Sequence, residues 1–65
     1  MAVMEFRAEE HRDCGFSRAE AMIRKAVIDN QYEVSDPSST WQPARVVRDK
    51  DKKSGGFKVV IESKE

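Results

Sequence analysis

Cys14 is the only cysteine in 65 residues, and this removes the staple on which so short a chain often depends. Domains of this size have small cores and marginal stability, and secreted ones commonly add several disulfides. With no internal disulfide, the fold must rest on how well its apolar residues segregate onto buried faces. The lone cysteine and the lack of an amino-terminal apolar run of signal-peptide length point to the cytoplasm. No stretch approaches the roughly 18 apolar residues of a membrane span. Residues 1–65 are read as one domain.

The chain is 37% charged and 38% hydrophobic, with a mean hydropathy of −0.74. Such polarity approaches that of disordered segments, but the apolar residues recur with regular periods, which argues for a folded domain. The plainest case runs from about Arg18 to Asn30. Ser17 and Glu20 have the spacing of a capping box, in which each side chain serves a backbone N–H that the helix start leaves without a partner. Ala19, Met22, Ile23, Ala26 and Val27 follow at i, i+3, i+4, i+7 and i+8, one apolar stripe, and this stripe is assigned to the core. Asn30 is the expected carboxyl-terminal cap.

Two further segments have the period of a strand. Phe57, Val59 and Ile61 alternate with Lys58, Val60 and Glu62, and Trp41 to Arg48 contains Ala44, Val46 and Val47. The charged connection Asp49 to Gly56 ends in Ser54-Gly55-Gly56, where positive φ angles are cheap, so the two runs are predicted to form a hairpin. Pro43 lacks a backbone donor and belongs near the start of its strand, at an edge or at a bulge, and a bulge there would shift parity and bury Trp41. At the amino end, Ala2, Met4, Phe6 and Ala8 share one face of a strand, whereas a helix would align only Met4, Ala8 and His11. Tyr32-Glu33-Val34 is a possible short strand, followed by a loop at residues 35–40.

The predicted fold is therefore α+β in β-α-β-β order, one helix packed on a small antiparallel sheet. The alternative is a winged-helix-like arrangement with a helical first segment. The hairpin would then be the wing, and residues 17–30, with Arg18, Arg24 and Lys25, would be a recognition helix for DNA.

Sites of chemistry are hard to find. His11 and Cys14 form an H-x-x-C pair, but two ligands do not close a zinc site, and the chain has no second cysteine or histidine. Glu9 and Glu10 are adjacent, so on a strand they face opposite ways and cannot share a proton or a substrate. Gly55-Gly56 precedes a strand, not the helix that a phosphate-binding loop requires. No catalytic residue, metal, cofactor or small-molecule substrate is assigned, and the chain is read as a non-enzyme.

Charge separates along the chain. Residues 1–41 carry five basic and eight acidic groups, and residues 42–65 carry seven basic and four acidic, although the whole is neutral. This yields two candidate surfaces. If Ala44 and Val46 face the helix, strand parity turns Trp41, Arg45, Val47, Lys58 and Val60 to the other side, along with Val3 and Glu62. A single helix covers only one side of a sheet, so this mixed aromatic, aliphatic and cationic face is the candidate protein-binding surface. The second candidate is nucleic-acid binding by Trp41, Arg45, Arg48, Lys50, Lys52 and Lys53, with Trp41 to stack and the basic hairpin to neutralise phosphates. The first is preferred: a small non-catalytic interaction module that binds a protein partner or itself through the open sheet face and basic hairpin, a role suited to a regulator or inhibitor.

Overall fold

The computed structural model describes residues 2–64. Along the chain lie β1 (Val3–Phe6), α1 (Arg18–Gln31), β2 (Arg45–Arg48) and β3 (Phe57–Glu62). All strands pair antiparallel in the order β1-β3-β2, so the last strand in sequence is the central one. The α+β reading and its element order hold. The first segment is a strand because it pairs with β3, from Val3 opposite Glu62 to Phe6 opposite Val59, which removes the winged-helix arrangement. No helix among the described residues is long and apolar enough to cross a membrane.

The start of α1 follows from its capping box. The Ser17 hydroxyl accepts from the Glu20 N–H at 3.1 Å, and the Glu20 carboxylate accepts from the Ser17 N–H at 2.9 Å. At the other end the helix runs past Asn30. Tyr32 is the cap, Glu33 takes the left-handed turn with φ of 52°, and residues 32–34 are a turn where a short strand had been a possibility.

The hairpin forms as its glycines imply: Gly55 and Gly56 have φ of 75° and 110°. Gly15 adds a contact that periodicity does not reveal. Its N–H donates to the Gly55 carbonyl at 2.8 Å, and a β-carbon at Gly15 would lie 2.8 Å from the Phe57 carbonyl oxygen. Here the segment before α1 lies backbone to backbone against the hairpin, and Phe16 and Phe57 exchange reciprocal hydrogen bonds of 2.9 Å.

Pro43 marks a bulge. Arg45 lies opposite Val60 and Trp41 opposite Ser63, so three residues (Gln42, Pro43, Ala44) span a stretch that Ile61 and Glu62 cover in β3. The extra residue reverses parity upstream. The Ala44 N–H, diverted from the ladder, donates to the Asp29 carboxylate of α1 at 2.8 Å.

The core lies between α1 and the sheet and comprises Ala8, Phe16, Ala21, Ile28, Ala44, Val59 and Ile61. From α1, only Ala21 and Ile28 are buried. The stripe assigned to the core from sequence faces the other way: Ile23 is 67% exposed, Met22 and Val27 are each 51% exposed, and Ala19 and Ala26 are exposed beside them. The reason is geometric. The helix closes on β3 and β2 through the opposite side, where a residue as small as Ala21 permits close approach.

Candidate functional site

Three surfaces and one ion pair with a buried carboxylate could carry function. The side of the sheet away from α1 contains Val3, Glu5, Arg45, Val47, Lys58, Val60 and Glu62, as the register requires. It is not an apolar patch. Val60, at its centre, stands between Glu5 and Arg45 and is only 8% exposed. Two ion pairs cross on either side of it, Lys58 to Glu5 at 2.7 Å and Arg45 to Glu62 at 3.0 Å. The charges expected to meet a partner thus pair within the chain, and their stems cover the valine.

Trp41 is absent from this face. The bulge at Pro43 turns it to the helix side, where its ring meets Tyr32 edge-on with centroids 5.0 Å apart, and Tyr32 in turn meets Phe6 at 6.3 Å. The expected grouping of Trp41 with Arg45, Val47, Lys58 and Val60 is corrected by that inserted residue, and Trp41 packs as a lid on the core.

The bulge also bears on the nucleic-acid set. Trp41 lies beside Ser63 at one end of the sheet, whereas Lys50, Lys52 and Lys53 lie in the turn before Phe57 at the other. At about 3.3 Å per strand residue, some 20 Å separate them. Lys52 is also occupied: its Nζ donates to the carbonyls of Glu9 and Arg12, each at 2.9 Å. Arg48 lies over the Phe57 ring, 5.9 Å from its centroid, and Arg45 is held by Glu62. The basic hairpin is thereby tied to the loop before α1, with Lys50 and Lys53 left exposed.

At the base of the hairpin lies the one buried charged residue among those described, Asp49, at 1% exposure. The Arg7 guanidinium grips it through Nε and Nη2 at 3.1 and 3.0 Å, and the Asp51 N–H also donates to it. The hydrogen bond from Arg7 holds the Asp49 carboxyl below its usual range, against the opposing effect of burial. The sequence offers no local signal for this pair, since 42 positions separate Arg7 from Asp49. It fastens the end of β1 to the hairpin.

Among the described residues no group of three or more His, Cys, Asp or Glu side chains is gathered to hold a metal ion. His11 pairs with Glu9 at 3.0 Å, and the Cys14 thiol lies 3.7 Å from Arg12 Nη2. An open groove of about 750 Å³ lies between α1 and the edge strand β1, with Phe6, Phe16, Ile23, Val27 and Ile28 among its lining. It runs directly into the exposed side of α1, so groove and stripe form one apolar surface through Ile23 and Val27. Comparison of the chain with family models, with curated proteins and with solved structures gives no match.

Proposed function

We propose that this chain is a non-catalytic association module that binds another polypeptide chain, and that its principal contact surface is the outward side of α1. The supporting observation is the exposure of Met22, Ile23 and Val27, flanked by Ala19 and Ala26, along the length of one helix. Scattered exposed apolar side chains are ordinary, but a continuous stripe at helical spacing, turned from the core in a chain otherwise so polar, is a surface whose burial is favourable. The mixture of small and large apolar residues suits helix packing, because the alanines let a second backbone approach. The open sheet face and the basic hairpin contribute less, since their charges are largely matched within the chain. A reducing compartment fits a chain whose one cysteine is a free thiol.

The test is Ile23→Glu, which places a charge in the middle of the stripe without touching the core. The variant is expected to melt like the parent at high dilution and to lose association with any polypeptide that the parent binds, itself included. A variant that associates as well as the parent would overturn the assignment of the surface.

A further inference from the structure

The geometry points to the outer edge of β1, with the groove between it and α1, as a site that takes an extended segment of another polypeptide as a fourth strand. This rests on the association reading above and adds the conformation of the partner and the groups that recognise it. The phase of the ladder decides which backbone groups are free. The Ser63 N–H donates to the Ala2 carbonyl at 2.9 Å, and the register runs from Val3 opposite Glu62 to Phe6 opposite Val59, so the residues that bond to β3 are Ala2, Met4 and Phe6. Val3 and Glu5 lie between them and turn both N–H and carbonyl to the open side. Both residues are exposed, and no other described segment bonds to their backbones there. Two donors and two acceptors at this spacing are what a further extended backbone satisfies.

The two edges of the sheet are not alike. At β2, Pro43 has no N–H, the bulge diverts the Ala44 N–H to Asp29, and Arg45 and Arg48 stand at the strand ends, all features that discourage further pairing. β1 has no proline and an unbroken register. α1 packs over β3 and β2 and not over β1, so the helix side of the sheet is open beside this edge. The groove occupies that opening, bordered by Glu5, Phe6 and Arg7 on the strand and by Ile23 and Val27 on the helix. Side chains alternate along a strand, so every second residue of an added segment faces the helix side, where a large apolar group meets Phe6, Ile23 and Val27.

Charge adds a preference. Of the charged residues that line the groove, Glu5 is held by Lys58, Arg7 by Asp49, and Glu20 by the Ser17 N–H. Arg24 has no ion pair among the described residues and lies over the Phe16 ring, 4.3 Å from its centroid. The unmatched charge is thus cationic, and an acidic residue in the segment complements it. A second copy fits less well. β1 paired with its own equivalent about a two-fold axis would hold the two α1 helices roughly 20 Å apart, about twice the distance of packed helices, and would leave the groove unfilled.

The experiment titrates the full chain with a blocked octapeptide of alternating threonine and leucine that ends in aspartate, read by amide NMR and hydrogen exchange. On saturation the Val3 and Glu5 amides are expected to exchange at least about tenfold more slowly, while that of Met4, already in the ladder, is unchanged. A peptide of the same composition with its leucines contiguous is expected to bind at least about tenfold more weakly, and Arg24→Glu to reverse the preference for aspartate over lysine at the peptide end. Val3→Pro and Glu5→Pro each remove an outward N–H and keep the ladder bonds to β3, so both variants are expected to stay folded and to lose about tenfold in peptide affinity. Should either unfold, amide exchange in the parent still decides. No binding at millimolar peptide, binding that leaves the Val3 and Glu5 amides unprotected, or binding undiminished in a folded Val3→Pro variant overturns the edge site. Protection of those two amides by the chain alone at high concentration would make a second copy the occupant and overturn the heterologous segment. The association reading fails separately: a polypeptide retained by Ile23→Glu but released by Val3→Pro removes the helix stripe as principal surface and supports the edge, whereas one released by Ile23→Glu alone supports the stripe and overturns the edge.

Discussion

The two long sides of α1 differ in kind. The inward side meets the sheet through Ala21 and Ile28, with Lys25 and Asp29 joined along its margin, while the outward side carries Met22, Ile23 and Val27 into solvent. The side that is buried is thus the one with fewer apolar residues. Proximity explains how this suffices. Ala21 brings the helix close to Val59 and Ile61, the Asp29 carboxylate takes up the Ala44 N–H freed by the bulge, and Phe16 and Tyr32 close the two ends. A helical stripe records where apolar surface lies on the helix but not what covers it.

The largest difference between the two sides is expected on truncating the two isoleucines. Ile28→Ala is expected to destabilise the fold by about 2–5 kcal/mol, since it removes buried side chain and leaves a cavity. Ile23→Ala is expected to stay within about 0.5 kcal/mol when measured on the dilute chain. Chemical denaturation of the two variants side by side checks this, and equal losses would place both residues in the core.

The next effect concerns what holds the sheet to the segment beside it. Asp49 has its carboxyl pKa lowered on folding, chiefly by the Arg7 hydrogen bond. A group whose folded-state pKa is depressed contributes stability that is fully present above the unfolded value, about 3.9 for Asp, and is lost as pH falls through the folded value. The parent is therefore expected to lose stability on the acid side of about pH 4, and Asp49→Asn to be less stable at neutral pH with a flatter acid limb. Identical acid limbs would show that Arg7 and Asp49 are not paired.

Of smaller size is the helix cap. Ser17→Ala is expected to cost about 0.5–2 kcal/mol because the Glu20 N–H loses its acceptor. Ser17→Asp should restore most of the loss, whereas a melting curve unmoved by Ser17→Ala would count against the cap. Smallest of all is the lattice over Val60. Lys58→Met is expected to change stability by less than about 1 kcal/mol, since a partly exposed pair with Glu5 gains little over its hydrated state. A loss as large as that of Ile28→Ala would mean that the sheet face depends on its charges.

What could be read before the structure follows how local each signal is. The capping box, the alternation in β3 and the two glycines of the hairpin act within a few residues, and each appears in place. Three features depend on distant parts of the chain, of which the sequence left the first open and hid the other two. The inserted residue at Pro43 reversed the parity of Trp41, although a proline at a strand start signals that a bulge is possible. The contact of Gly15 with Gly56 and Phe57 depends on chain segments brought together only by the fold. The direction of the α1 stripe depends on which side of the helix the sheet approaches. Among the expected protein-contact residues, Arg45, Val47, Lys58 and Val60 do share a face, but pairing with Glu62 and Glu5 turns that face from an apolar patch into a polar one.

The most direct measurement of the central claim, that the apolar stripe of α1 lies outside the fold, is a comparison of Ile23→Glu with Ile28→Glu by thermal melting in dilute solution. A carboxylate at Ile28 must enter the core and is expected to leave the chain unfolded at room temperature, while Ile23→Glu is expected to retain a cooperative transition close to that of the parent. If Ile23→Glu abolishes the transition as fully as Ile28→Glu does, the stripe is buried within the single chain and its role in association is contradicted.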